Sequence, residues 1–338
     1  MEQVRRRLPV VRVAQAPTAV PAAVNREEQM KEKLVLATRK SKLAMAQSMW
    51  VKGQIESHWP GCTVELLKVT TKGDKILDVP LAKVGGKGLF VKEIEEAMLD
   101  GRADIAVHSL KDVPTEIPPG LEVSVFPKRE DSRDALISRH DGCMEGLPTG
   151  ATVGTSSLRR MAQLRLIRPD IKIESLRGNL DTRLKRLDQG DFDAIILAAA
   201  GLNRLGLSNR ISCLIPEETM IPAIGQGALG IEFRTEDNET RQILVPLHDH
   251  ETEIRVRAER AFLKRLEGGC QVPIGAVATL KGDRLKLEGI VADEEGNRVI
   301  RQKMEGSAQE AERLGVELAE TILDLGGREI LEEVYSAG

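Results

Sequence analysis

From Leu34 onward the chain alternates short apolar runs with amphipathic helical stretches, a rhythm that points to an α/β fold. Leu34–Thr38 predicts a strand, and 41–59 a helix with Leu43, Ala46, Trp50 and Gly53 on one stripe and Pro60-Gly61 as its stop. A second strand follows at Thr63–Val69, then a helix over Gly88–Asp100 closed by Gly101. The third strand, Ala103–Val107, runs straight into His108-Ser-Leu-Lys-Asp-Val-Pro114. A second series places strands at Ala135–Ser138, Thr152–Gly154, Ile171–Ser175 and Phe192–Ala198. Its helices cover Ser156–Ile167 and Asn179–Gln189, with Asn179 as N-cap. A helix over Glu251–Glu267 stops at Gly268-Gly269. Beyond it come strands at Gly275–Leu280, Lys286–Val291 and Arg298–Met304, then a helix opened by a Ser307/Glu310 capping box and ended by Gly326-Gly327. The expectation is two α/β domains and a smaller C-terminal α+β domain.

Composition narrows the function classes. Apolar residues at 41 % and charged residues at 30 % suit a soluble globular chain. Aromatics at 2 % leave little for base stacking, and a net charge of −3 disfavours a general polyanion binder, so nucleic acid is not expected as a partner. No apolar run approaches the roughly 18 residues of a membrane helix, so no membrane is expected either. Residues 1–33 carry Arg5-Arg6-Arg7, then Ala, Val and Pro without periodicity. Glu2 and the lack of serine make that stretch a poor transit peptide, and a disordered extension is the reading.

Several motifs weaken on inspection. Gly225-Gln-Gly-Ala-Leu-Gly230 has the spacing of a dinucleotide fingerprint, but Pro222 precedes it and a strand, not a helix, follows. A glycine-rich crossing between domains is expected there. Gly85-Gly-Lys-Gly-Leu-Phe90 lacks the P-loop spacing, yet its glycines feed a helix N-terminus beside Lys83 and Lys87, either an anion site or solvated lysines on a lid. His248-Asp-His250 hints at metal, but no third ligand is apparent and the region reads as a surface linker, so no metal is expected. His108 is either catalytic or a hydrogen-bonded structural histidine.

Arginine placement says more. Arg39, Arg159, Arg160, Arg177 and Arg204 each follow a predicted strand, Arg129 and Arg133 follow the run Val123-Ser-Val-Phe126, and Arg183 lies one turn into the next helix. Ligands of open α/β sheets bind beyond the carboxyl ends of strands, where arginine offers permanent, bidentate recognition of carboxylate or phosphate. A multi-carboxylate or phosphate ligand between the two α/β domains is the reading. Asp112, between a buried strand and a rigid proline, either shuttles protons and stabilises a developing cation there or caps a turn.

Four cysteines, Cys62, Cys143, Cys213 and Cys270, are far apart and form no CxxC pair, which argues against zinc and a disulfide scaffold and fits a reducing cytosol. Cys270 stands in Glu267-Gly-Gly-Cys-Gln-Val-Pro273, just past a helix C-terminus. The partial negative charge there disfavours a thiolate.

These ordered motifs together resemble the hydroxymethylbilane synthase (porphobilinogen deaminase) family. The likeness runs from about Leu34 to the C-terminus through Ala37-Thr-Arg-Lys-Ser41, Gly85-Gly-Lys-Gly-Leu-Phe-Val-Lys92, His108–Pro114, Arg129-Glu-Asp-Ser-Arg-Asp134, Gly154-Thr-Ser-Ser-Leu-Arg-Arg160, Leu176-Arg-Gly-Asn-Leu-Asp-Thr-Arg183, Gly225-Gln-Gly-Ala228 and Glu267–Pro273. It implies two periplasmic-binding-protein-like α/β domains around a cleft, here 34–127 with 228–246, and 128–227. An α+β domain, 247–338, then bears the loop cysteine. It implies stepwise condensation of four porphobilinogens with loss of ammonia onto a dipyrromethane primer, then hydrolytic release of linear hydroxymethylbilane. By the same resemblance Cys270 holds the primer as a thioether, and Asp112 handles pyrrole N–H protons and stabilises the azafulvenium cation. Lys111, Thr155, Ser156, Ser157, Arg159, Arg160 and Arg183 would bind cofactor carboxylates, Arg39, Ser41, Arg177 and Arg204 substrate carboxylates, and Lys83, Lys87 and Phe90 the loop over the cleft. A cytoplasmic monomer is implied. Lys42 departs from the proline common in relatives, at a position outside the site. A non-catalytic anion-binding protein would use the arginines but leave Asp112 and Cys270 idle.

Overall fold

The computed structural model describes residues 31–75, 91–267 and 272–337, so Lys83, Lys87, Phe90 and Cys270 lie outside the described residues. The chain opens with β1 (Lys33–Arg39), α1 (Lys42–His58), β2 (Thr63–Val69), α2 (Lys92–Leu99), β3 (Ile105–Ser109) and β4 (Leu121–Val125). It continues with β5 (Asp134–Ser138), β6 (Thr152–Gly154), α3 (Leu158–Ile167), β7 (Lys172–Glu174), α4 (Leu180–Asp188), β8 (Ala194–Ala198), α5 (Ala199–Arg204) and β9 (Cys213–Leu214). Then come β10 (Leu229–Arg234), α6 (Asn238–Leu244), α7 (His250–Arg265), β11 (Ile274–Lys281), β12 (Arg284–Ala292), β13 (Val299–Ser307), α8 (Ala311–Ile322) and α9 (Arg328–Ala337).

The first sheet runs β2-β1-β3-β10-β4 and the second β7-β6-β8-β5-β9. In each, one strand runs against the rest, β10 in the first and β5 in the second: β1 pairs parallel with β2 and β3, and β6 with β7 and β8. Because β10 enters between β3 and β4, antiparallel to both, the chain must return to the first sheet after finishing the second. The near-continuous apolar strands predicted from sequence are buried on both faces, as Leu34, Leu36, Ala106 and Ile195 show.

The third sheet, β11-β12-β13, is a fully antiparallel meander. Its apolar face packs with α7 and α8 around Phe262, Leu287 and Leu318. Gly289 and Gly315 allow that contact: a Cβ at Gly315 would lie 2.3 Å from the Ala258 carbonyl oxygen.

Some local expectations change. Asn179 holds the N-cap position of α4 without a side-chain cap bond. Ser307 caps through the Gln309 amide, while Glu310 pairs with Arg313 instead of closing a box. Gly326 turns the chain at φ 104°, but a further helix, α9, follows it. A disulfide joins Cys143 to Cys213 with Cα atoms 5.2 Å apart. Their 70-residue separation hid the pair; β9 brings Cys213 beside Leu136 of β5.

Candidate functional site

The parallel registers decide what meets at the sheet edges. Ala37 pairs with Ala106, so Arg39 and the 3₁₀ turn Leu110–Asp112 leave the first sheet at the same edge. In the second sheet Gly154 pairs with both Glu174 and Ile195, which delivers Thr155–Ser157, Ser175–Arg177 and the start of α5 together. The two edges approach: Lys42 of α1 pairs with Asp181 of α4 at 2.7 Å, and Gly201 of α5 lies against Leu43.

Charge gathers where they meet. Burial, with Arg160 and Arg177 adding to it against the opposing pull of Asp112, brings the Arg183 guanidinium down to about 10. Its Nε donates to the Gly178 carbonyl at 2.8 Å. Burial likewise brings Arg204 to about 10, partly offset by Glu130, while Nη2 of Arg204 donates to the Gly227 carbonyl at 2.7 Å. Lys111 is pushed below the usual lysine range by burial first, with Asp112 opposing and Arg160 and Arg159 adding to it. Lys111, Asp112, Arg159, Arg160, Arg177 and Arg183 therefore share one electrostatic neighbourhood although they come from two sheets. The half-buried Asp112 carboxylate has no hydrogen bond or ion pair to another described residue.

The hydroxyls divide. Ser41 caps α1, its Oγ accepting from the Ala44 amide at 3.3 Å. Thr155 is buried and accepts from the Ser157 amide. Ser156 donates to the Leu176 carbonyl at 2.9 Å, clamping the turn that carries Arg177.

Sequence reasoning missed the hub of this site. Asp134, fully buried at the start of β5, bonds Arg159 Nη1 at 2.8 Å and Arg160 Nη2 and Nε at 2.7 and 3.1 Å. Burial alone would raise its carboxyl, but the two guanidiniums hold it well below the ordinary carboxylate range. Gln226 Nε2 donates to the same carboxylate at 2.9 Å. An acid at the first position of an apolar strand was the available signal. Arg159 also bonds the Ile221 carbonyl and Arg160 the Ile196 carbonyl, so both arginines reach the edge with part of their donor capacity already committed.

Three further features of the sequence are structural. Arg129 is buried against Glu259, at 2.6 and 3.1 Å, and Arg133 is held by Asp131 at 2.7 Å, so both are structural pairs. His108 is buried with Nε2 2.8 Å from Glu232 on the neighbouring strand, the structural alternative. The G-x-G-x-x-G stretch has Gly225 and Gly227 at positive φ and leads directly into β10, so no helix N-terminus faces a phosphate. At Gly227 a Cβ would lie 2.4 Å from the Glu130 carbonyl oxygen, a close backbone approach that requires glycine.

Around Cys270 the described flanks are firm. The helix α7 ends at Arg265, Glu267 takes a left-handed φ of 53°, and Val272 is buried just before β11. A cavity of 490 Å³ opens among 129–133, 216–218 and Arg255; three arginines face four acids there, and two of them, Arg129 and Arg133, are the strand-end arginines already paired with Glu259 and Asp131.

Comparison with known proteins gives two family matches: the porphobilinogen deaminase dipyromethane cofactor binding domain over residues 34–242, and the porphobilinogen deaminase C-terminal domain over 253–324. A porphobilinogen deaminase from Maridesulfovibrio salexigens is 57 % identical over 303 residues, 90 % of this chain and 98 % of that protein. Similar solved structures include the methionine binding protein MetQ, with 13 % identity, TM-score 0.40 and coverage of 64 % and 88 % of the two chains. The BvgS periplasmic VFT2 domain of Bordetella pertussis is another, with 16 % identity, TM-score 0.35 and coverage of 63 % and 85 %. Among the described residues, no helix is long and apolar enough to cross a membrane.

Proposed function

The chain belongs to the porphobilinogen deaminase family, transferases also called hydroxymethylbilane synthases, and on that premise we propose how its residues divide the work. Residues 34–127 with 228–246, and 128–227, form the two halves of a cleft, and 247–338 supplies Cys270 as the attachment point of the dipyrromethane cofactor. Porphobilinogen is the substrate, and the enzyme works as a cytoplasmic monomer.

The residues present fit such a cofactor. Each pyrrole unit brings two carboxylates, and a cleft whose guanidiniums are lowered by burial and by one another gains stability when anions enter. Lys111, Thr155, Ser156, Ser157, Arg159, Arg160 and Arg183 hold cofactor carboxylates, and Arg39, Ser41, Arg177 and Arg204 those of the substrate. The family resemblance assigns Lys83, Lys87 and Phe90, which lie outside the described residues, to ligand binding as well. When bound, dipyrromethane supplies the primer on which pyrrole units are joined.

Asp112 does the chemistry. As ammonia leaves, its carboxylate stabilises the cation developing on the substrate, and it accepts and returns pyrrole N–H protons. A short 3₁₀ turn after a buried strand fixes its backbone. The observation that carries this reading is that Asp112 leaves the first sheet at the same edge as Arg39, where α1 approaches α4 of the second sheet.

The test is the denatured intact mass of the chain made in cells that synthesise porphobilinogen. A two-pyrrole adduct on the wild type that is absent from Cys270→Ser is expected. An unmodified wild-type chain would sink the attachment.

A further inference from the structure

We propose that His248, His250 and Glu253 form a binding site for a divalent transition-metal ion of the zinc class at the head of α7. The two histidines alone offered too few ligands. Helix geometry supplies the third: Asp249 caps α7 by accepting from the Thr252 amide at 2.8 Å, and the first turn then lifts Glu253 to both rings. His248 Nε2 and His250 Nδ1 each lie 3.1 Å from Glu253 Oε2, and the three donor atoms fall within 4.8 Å of one another.

Two imidazoles and a carboxylate with an open fourth position is a donor set that zinc-class ions favour. Bonds of about 2.0–2.1 Å in tetrahedral geometry space ligand atoms roughly 3.3–3.4 Å apart, so each nitrogen–oxygen separation needs to widen by a few tenths of an ångström while the two nitrogens, within 4.8 Å of each other, draw together. The His250 side chain is 77 % exposed and has room to swing toward His248, while His248 and Glu253 are at 25 %. The His248 ring rests tilted against Phe126 at a centroid distance of 6.3 Å. Coordination through Nε2 moves the ring proton to Nδ1. That gives up the Phe126 N–H contact to Nδ1, which at 3.4 Å is already longer than an ordinary hydrogen bond. Arg257 stands 3.8 Å from the other carboxylate oxygen, Oε1, and leaves Oε2 to the ion. An ion here would pin the segment leaving α6 to the first turn of α7 and, through the His248 ring, to the end of β4.

The test is titration of the holoenzyme with Zn²⁺ by calorimetry and with Co²⁺ by visible absorption. One saturable ion per chain is expected, weakened about tenfold or more in His250→Ala and in Glu253→Gln, since loss of even outer-shell partners costs this much. His140→Ala, remote in the second sheet, should bind as the wild type does. Absence of saturable binding, or equal affinity in wild type and both variants, would overturn the site.

Discussion

Asp134 grips Arg160 through Nη2 at 2.7 Å and Nε at 3.1 Å, with both side chains buried, and the same carboxylate takes Arg159 Nη1 at 2.8 Å. One acid on β5 thus fixes two cations that α3 carries toward the cleft edge. Replacing it with Asn keeps the shape and leaves two buried guanidiniums sharing no anion. Breaking a buried pair in this way costs about 3–5 kcal/mol. Urea unfolding of Asp134→Asn at neutral pH should show a loss of that order.

The same pair predicts an acid limb. The folded Asp134 carboxyl titrates below its unfolded value, so its contribution is present above about pH 4 and is lost as pH falls through the depressed folded value. Wild type should lose stability faster than Asp134→Asn as pH drops below about 4. Parallel pH dependences in thermal melts would rule out this linkage.

Asp112→Asn removes the charge at nearly constant shape. Turnover should fall by about 10²–10⁴ if the carboxylate serves as proton carrier and cation stabiliser, while the intact mass still shows the adduct at Cys270. Near-normal turnover would exclude that role.

Glu95 on α2 is buried, and burial first, then Glu232, raises its carboxyl to about 7. A raised folded value means the charged form is disfavoured in the fold, so stability declines as pH rises from the unfolded value of about 4.3 toward 7. Glu95→Gln should therefore gain thermal stability relative to wild type at pH 8 and lose that advantage at pH 4.

Glu267 holds a φ of 53° just after α7, where a side chain costs roughly 1–2 kcal/mol and glycine costs little. Its carbonyl accepts from the Tyr335 hydroxyl at 2.9 Å, which fixes the backbone there. Glu267→Gly should raise the unfolding midpoint, and an unchanged or lower midpoint would count against strain at this turn.

Most elements were readable because periodicity is local. Thr63–Val69 and Thr152–Gly154 were placed to the residue, and α1 and α3 within a few. The arginines at strand ends were readable too, since a strand's carboxyl end is a sequence position. Which of those arginines face the cleft was not. Arg129 and Arg133 look like the others in sequence, yet Glu259 lies 130 residues from Arg129 and nothing local announces the pair.

The sequence by itself determined the strand–helix rhythm, the motif set and the gathering of arginines at strand ends, because each depends on neighbours along the chain. Only the tertiary structure decided that Asp134 unites Arg159 and Arg160, that Cys143 meets Cys213 and that Lys42 of the first sheet's helix meets Asp181 of the second's. Those depend on sheet register and on the return of β10 to the first sheet, where buried charges settle only beside the partners that the completed fold brings within reach.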